Sequence, residues 1–136
     1  MRKLERHKNA ITEHLADNDF AQSPKWLIDM FDGYFDPCPK QPTVNGLEIS
    51  WKRRNYVNPP YTEKELWINK AISEMDKGNL TVMVLPMSPE TDWYVNLIVP
   101  NAEILYLHGR IAFHSKSRPQ NGTIIAVFHP YPNRNT

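Results

Sequence analysis

Apolar residues along this chain of 136 residues follow two alternating spacings. The run at 80–85 is almost continuously apolar, which predicts a strand buried on both faces. Shorter apolar runs predict further strands at 34–35, 55–57, 103–107 and 123–128. Segments with helical spacing separate these runs, and strands that alternate with helices predict a doubly wound α/β sheet.

The first predicted helix begins at Ser23-Pro24, with serine as the N-cap and proline as the first helical residue. It ends at Phe31, close to Gly33, and is expected to turn three apolar side chains inward: Trp26, Leu27 and Met30.

Two longer helices are predicted after the strand at 55–57. Thr62 and Glu65 have the spacing of a capping box, and Gly78 is a C-terminal signal after Lys77. The apolar face of this second helix consists of Trp67, Ile68, Ala71, Ile72 and Met75. The third helix is expected to follow a cap at Ser88-Pro89 and to bury Trp93, Tyr94, Leu97 and Ile98.

Composition favours one intracellular domain. Hydrophobic residues make up 40% of the chain and aromatic residues 11%, enough for a core. Neither a membrane-spanning run nor a secretory signal is recognisable, and the single cysteine, Cys38, excludes an internal disulfide. We therefore expect a cytoplasmic protein with a charged arm or helix at 1–19, a folded domain at 20–130 and a polar tail at 131–136.

Positive charge is clustered although the net charge is only +1. One cluster is Lys52-Arg53-Arg54, and the other lies between His108 and Arg118. Such clusters are often solvated faces, but these two flank the candidate site described next, which favours contacts with nucleic-acid phosphates. Gly109 permits an unusual turn beside Arg110, and Phe113 can wedge or stack against bases. The residues expected to contact nucleic acid are Lys52, Arg53, Arg54, Arg110, Phe113, Lys116 and Arg118.

The sequence 58–61, Asn-Pro-Pro-Tyr, is the most informative segment. The Asn58 side-chain oxygen and the Pro59 carbonyl can each accept a hydrogen from one amino group. Pro60 keeps the segment stiff, and the Tyr61 ring offers a face on which a planar base can stack. Two acceptors on one nitrogen leave its lone pair exposed, so the segment can prepare an amine for nucleophilic attack.

Three predicted strands end in residues suited to a ligand site, namely Asp36, Asn58 and Pro86. Ligands of doubly wound sheets bind beyond the carboxyl ends of the strands, so one crevice can hold all three. Pro86 is equally well explained as a residue that ends its strand. No nucleophile triad, paired carboxylates or metal-ligand spacing stands out in the sequence, and no metal is expected.

Asn-Pro-Pro-Tyr resembles the signature of methyltransferases that use S-adenosylmethionine to modify amino groups. The chain as a whole is similar to small phage-type DNA adenine methyltransferases over roughly residues 20–130. The similar positions are Ser23-Pro24-Lys25-Trp26-Leu27, Asp36-Pro37-Cys38, Gly46-Leu47, Trp51, Asn58-Pro59-Pro60-Tyr61, Trp67, Lys70-Ala71, Val84-Leu85-Pro86, Thr91-Asp92-Trp93-Tyr94 and Gly109-Arg110-Ile111-Ala112-Phe113.

This resemblance implies a reduced Rossmann-like methyltransferase domain of viral or prophage type, acting in the host cytoplasm on adenine in DNA. Asp36 and Pro37, with Ser23, Trp26 and Asn58, would hold S-adenosylmethionine, and Asp36 would accept the ammonium of the cofactor. The segment 58–61 would hold the flipped-out base. The chain departs from larger relatives in its short 37–46 loop, in lacking a Gly-x-Gly loop and in having no separate target-recognition domain.

The residues leave other functions open. The same chemistry fits the amine of cytosine, a guanine of ribosomal RNA or a glutamine side chain, although the basic clusters favour nucleic acid. A non-catalytic nucleic-acid-binding protein with the same fold is a further alternative. A homodimer would extend the basic face without a second domain.

Overall fold

The computed structural model describes residues 24–107 and 122–130 of the chain. The predictions for the N-terminal arm, the basic segment after His108 and the polar tail lie outside these residues. In chain order the elements are α1 (Lys25–Met30), β1 (Arg54–Val57), α2 (Lys64–Asp76), β2 (Leu80–Pro86), β3 (Glu103–Tyr106) and β4 (Thr123–Phe128). Short 3₁₀ turns lie at Gly46–Glu48 and Tyr61–Glu63, and a π-helical turn lies at Tyr94–Ile98.

The strands form one mixed sheet in the order β1-β2-β4-β3. β1 and β2 are parallel, whereas β4 is antiparallel to both of its neighbours, β2 and β3. A single parallel bridge between Phe35 and Asn55 extends the sheet beyond β1. The predicted α/β class and the four longer predicted strands are therefore confirmed, and the predicted strand at 34–35 is reduced to this bridge.

Alternate residues of the strands face two separate apolar layers, as the pleat requires. One layer contains Leu27 of α1, packed with Tyr56, Val82, Val84, Ile125 and Val127. The other contains the apolar face of α2 and the π-helical turn, packed with Val57, Met83, Leu85, Ile124, Ala126 and Phe128. The prediction that the 80–85 strand is buried on both faces is thus confirmed.

The first predicted helix is present but differs from the prediction in its start and in its buried face. Pro24 has ψ 152°, so it precedes the helix as its N-cap, and its carbonyl accepts hydrogen bonds from Leu27 and Ile28. Trp26 and Met30 are 51% and 64% exposed. A helix of six residues presents only a narrow stripe to the sheet, and among these residues Leu27 alone is buried there.

The second and third helices also begin later than predicted. α2 begins at Lys64 after the 3₁₀ turn, and its N-cap residue, Glu63, makes no side-chain cap hydrogen bond, so the capping box of Thr62 and Glu65 stays a prediction. Ser88 accepts the Thr91 N–H in a turn, and the next helical residues begin at Asp92. In both cases the residue that the sequence pattern assigns to the N-cap lies in a turn next to a proline: Thr62 follows Pro60, and Ser88 precedes Pro89. The C-terminal signal at Gly78 is confirmed by its φ of +95°.

Glu74 is a fully buried acid on the inner side of α2. Its carboxylate lies 3.0 Å from the Lys70 ammonium and accepts a hydrogen bond of 2.7 Å from the Asn79 amide. Burial alone raises the pKa of Glu74, but the hydrogen bonds from Asn79 and Lys70 outweigh it and hold this pKa below the ordinary 4.5. The ionised form of Glu74 therefore stabilises the fold.

We expect Glu74→Gln to lower the free energy of unfolding by about 1–3 kcal/mol near neutral pH, because the buried side chain loses its charge-assisted hydrogen bonds with Lys70 and Asn79. A carboxyl group with a lowered pKa in the folded state stabilises above its unfolded-state pKa of 4.5, and this contribution is lost as the pH falls through the folded-state pKa. Urea denaturation of both proteins at several pH values measures the difference. A difference that stayed constant below pH 4.5 would contradict the ionised state of Glu74.

Candidate active site

The parallel strands bring three predicted residues to one edge of the sheet. Asp36 follows the bridged residue Phe35, Asn58 follows β1, and Pro86 is the last residue of β2. In register, Asp36 is two positions before Asn58 on the adjacent strand. Two residues of strand span about 7 Å and neighbouring strands lie about 5 Å apart, so one small ligand can reach both. The three residues therefore lie at one edge of the sheet, and the crevice that would join them stays a prediction.

Asp36 presents a carboxylate that is partly desolvated but reachable. Its Oδ1 accepts the Cys38 N–H at 2.9 Å, which fixes the side chain in a tight turn. Burial of the carboxyl group raises the pKa of Asp36, and the hydrogen bond from Cys38 opposes that rise, although the residue as a whole is exposed. Within 24–107 and 122–130, no cation pairs with Asp36. A bound ammonium group would remove this penalty.

The Asn-Pro-Pro-Tyr segment is held rigidly at the end of β1. Pro59 and Pro60 are buried, whereas Asn58 and Tyr61 are half-buried. The Pro60 carbonyl accepts the Glu63 N–H at 2.9 Å and so belongs to the 3₁₀ turn. No backbone N–H of the described residues donates to the Pro59 carbonyl, which the sequence analysis predicts as the second acceptor.

A lysine that the sequence analysis did not single out joins this segment to the π-helical turn. Lys64 Nζ donates to the Tyr61 carbonyl at 3.2 Å and lies 5.1 Å from the centre of the Trp93 ring. A cation over an indole face is attracted by its negative quadrupole. Lys64 therefore holds the aromatic end of the segment against the residues that follow β2. The only sequence signal was a lysine one helical turn beyond Tyr61.

Tyr61 is a neutral phenol over the whole physiological range. Burial raises the pKa of Tyr61 to about 12, with a smaller contribution from nearby Tyr56. A neutral ring stacks on a base without adding negative charge beside DNA phosphates. This is the property that a stacking residue at this position requires.

Other residues predicted for the site lie elsewhere. Lys52, Arg53 and Arg54 are exposed at the amino-terminal end of β1, about 13 Å along the strand from Asn58. Lys52 lies over the Phe35 ring at 5.6 Å from its centre. The first basic cluster is thus separated from the crevice by the length of the strand.

Of the predicted cofactor residues, Pro37 is buried next to Asp36, and Trp26 is half-exposed on α1. The remaining predicted residues lie outside the described part of the chain; they are Ser23, Arg110, Phe113, Lys116 and Arg118.

The described residues contain no cluster of three histidine, cysteine or acidic side chains that could hold a metal ion. No helix among them is both long enough and apolar enough to cross a membrane.

Comparison with known proteins assigns the chain to a family. Residues 38–131 match the family model of DNA N-6-adenine-methyltransferase (Dam). The chain belongs to this family. Membership confirms the resemblance drawn from the sequence, and with it the expectation of an adenine-specific DNA methyltransferase.

Two phage proteins are similar to the chain, and both carry the name DNA N-6-adenine-methyltransferase. The protein of Haemophilus phage HP1 is 30% identical over 118 residues, which cover 72% of this chain and 68% of the phage protein. The protein of Escherichia phage T1 is 32% identical over 66 residues, which cover 47% of this chain but only 28% of the phage protein. No solved structure matches the chain.

Tyr61 should not ionise below about pH 11, because burial keeps the charged phenolate unfavourable. The measurement is an ultraviolet absorbance titration of the wild-type protein minus that of Tyr61→Phe, which isolates one phenol. The difference should remain flat through the range near pH 10 in which exposed tyrosines ionise. A midpoint near 10 would show that the ring is solvated and contradict its placement.

Proposed function

We propose that this chain transfers a methyl group from S-adenosylmethionine to the N6 amine of adenine in DNA. The observation that supports this most strongly is the common edge of the parallel strands, where the Asp36 carboxylate, without a described cation, lies beside the Asn-Pro-Pro-Tyr segment. Family membership favours adenine over the cytosine, guanine and glutamine alternatives. We further propose action on DNA in a host cytoplasm.

The sheet supports a reduced Rossmann-like methyltransferase fold. Its parallel part consists of the Phe35 bridge, β1 and β2, with α1 and α2 on opposite faces. On the other side of β2 the sheet continues with the antiparallel β4 and ends at β3. Ligands of such sheets lie beyond the carboxyl ends of the parallel strands, which is where Asp36 and Asn58 stand.

The residues at this edge fit S-adenosylmethionine. Asp36 would accept a charge-assisted hydrogen bond from its ammonium group, and Pro37 would form the adjacent wall. Trp26 is exposed enough to stack on the adenine of the cofactor, and Ser23 precedes the same helix. When bound, S-adenosylmethionine supplies a methyl group made electrophilic by its sulfonium.

The chain's own residues would hold the nucleophile. An adenine must leave the duplex to reach the crevice, and the half-buried Tyr61 ring would stack on it. Its amino group would donate one hydrogen bond to the Asn58 oxygen and the other to the Pro59 carbonyl. Both acceptors lie on a stiff backbone, so the nitrogen lone pair is fixed toward the methyl group without reorganisation during the reaction.

DNA would be held mainly through its phosphates. Lys52, Arg53 and Arg54 are far enough from Asn58 that we propose them as contacts to the flanking duplex rather than to the flipped base. We propose the same role for Arg110, Lys116 and Arg118, with Phe113 wedging or stacking where the base has left. A second copy of the chain would double this basic face.

Asn58→Ala should lower methyl transfer by about 10²-fold or more, the scale for one lost hydrogen bond to a transition state. The assay follows transfer of a labelled methyl group from S-adenosylmethionine to unmethylated DNA by the purified variant. The fold should be retained, because the side chain is only half-buried. Wild-type turnover by this variant would exclude Asn58 from catalysis.

Asp36→Asn should weaken S-adenosylmethionine binding by about 1.5–3 kcal/mol, the usual worth of a hydrogen bond to a charged group. The asparagine oxygen can still accept the Cys38 N–H, so this change removes charge while retaining the turn. Asp36→Ala should lose both the negative charge and the hydrogen bond that retains the turn. Calorimetric titration gives the affinities.

The advantage of wild type over Asp36→Asn should shrink as the pH falls through the raised pKa of Asp36, because only the ionised carboxylate attracts an ammonium. DNA binding, measured in parallel, should persist in both variants. Cofactor affinity equal to that of wild type would reduce Asp36 to a turn residue.

A further inference from the structure

Gly46 lies in direct contact with the backbone that carries Asp36. A Cβ atom built on Gly46 would overlap the Pro37 carbonyl oxygen and come within 2.9 Å of the Pro37 carbonyl carbon. The same atom would lie 2.9 Å from Cη2 of Trp67. Gly46 does not have positive φ, so the lack of space, and not an unusual backbone conformation, requires glycine here.

A hydrogen bond from Trp51 holds Gly46 at this position. Its indole N–H donates to the Gly46 carbonyl at 2.8 Å, and this hydrogen bond is buried. The Trp51 ring stacks on Trp67, with ring centres 6.2 Å apart and planes at 20°. Lys70 lies 5.8 Å from the centre of the Trp51 ring and so adds a cation–π contact.

Trp67 belongs to the same helix that follows the Asn-Pro-Pro-Tyr segment. It is buried on the first full turn of α2, which begins three residues after Tyr61. The turn that orients Asp36 and the segment that carries Asn58 are therefore anchored on one packed unit. This unit consists of Gly46, Trp51 and Trp67, and we call it the glycine–tryptophan clamp.

We propose that the glycine–tryptophan clamp positions the Asp36 carboxylate for the ammonium end of the cofactor, with Gly46 as its positioning residue. The proposal rests on the proposed function. An added methyl group at Gly46 meets backbone atoms of Pro37, which cannot yield by a change of rotamer. Pro37 must move instead, and Asp36 is bonded directly to it.

The test compares two ligands that differ at the end the clamp controls. S-adenosylhomocysteine carries the ammonium group, and 5′-methylthioadenosine carries the same nucleoside without it. In Gly46→Ala, calorimetric titration should show affinity for S-adenosylhomocysteine reduced by about tenfold or more, the scale for a misplaced charge-assisted hydrogen bond. Affinity for 5′-methylthioadenosine should stay within about twofold of wild type. General loosening of the pocket would weaken both ligands equally.

Gly122→Ala is the matched control. Among the described residues, a Cβ at Gly122 meets only the end of the Met87 side chain, at 3.3 Å, and that flexible group can yield. This variant should bind both ligands as wild type does. Trp51→Phe gives a second and milder perturbation, because it keeps a stacking ring and removes the hydrogen bond to Gly46. It should weaken S-adenosylhomocysteine selectively even where Gly46→Ala fails to fold.

A double-mutant cycle separates positioning from an independent effect. If Gly46 acts through Asp36, the double variant with Asp36→Asn and Gly46→Ala should bind S-adenosylhomocysteine no more weakly than Asp36→Asn alone. Additive losses, or equal losses for both ligands, would overturn the clamp. Unchanged S-adenosylhomocysteine affinity in Gly46→Ala, with a loss in Asp36→Asn, would overturn the clamp alone. A wild-type protein that binds neither ligand would overturn the proposed function as well.

Discussion

The site depends on the parallel alignment of Phe35, β1 and β2, and buried Asn55 ties that alignment together. Asn55 pairs with Phe35 through its backbone and with Thr81 of β2 in the sheet register. Its side chain accepts the Lys52 N–H at 2.9 Å and donates to the carbonyls of Lys52 and Leu80 at 2.8 and 3.0 Å. Because a buried amide with its hydrogen bonds made resists displacement, the three strand ends stay together at one edge of the sheet.

Aromatic contacts connect the aligned strands to the turn after Phe35 and to the Asn-Pro-Pro-Tyr segment. On one side, Trp51 and Trp67 hold the turn after Phe35 through Gly46. On the other side, Lys64 links the Tyr61 carbonyl to the Trp93 ring. Tryptophan suits both places because one residue supplies a large rigid face, and in Trp51 also a polar N–H. The residues proposed to hold the cofactor and the base are therefore supported by separate contacts that meet on α2.

The sequence was sufficient for those features that depend on local pattern. The apolar run at 80–85 predicted a buried strand, and the spacing along α2 identified the core face of that helix. The Asn-Pro-Pro-Tyr segment was found from its chemistry, and no described backbone N–H donates to its Pro59 carbonyl. The position of Asp36 at the same sheet edge as Asn58 could be predicted because the carboxyl ends of parallel strands meet at one edge.

Features that depend on contacts between distant residues could not be predicted. The role of Gly46 is set by Pro37 and Trp67, which a local pattern does not relate. Trp26 was expected inside because it is apolar, but a six-residue helix buries too narrow a stripe to include it. The charge of Arg53 and Arg54 suggested nucleic acid, yet charge alone does not tell which end of a strand faces the site.

The measurement that tests the proposed function most directly is the identity of the methylated nucleoside. The purified chain is incubated with S-adenosylmethionine and unmethylated DNA, and the DNA is digested to nucleosides for mass spectrometry. Holding an exocyclic amine between the Asn58 oxygen and the Pro59 carbonyl predicts N6-methyldeoxyadenosine as the product. Methylation found on cytosine, on a glutamine peptide offered in competition, or on none of these substrates would contradict the account.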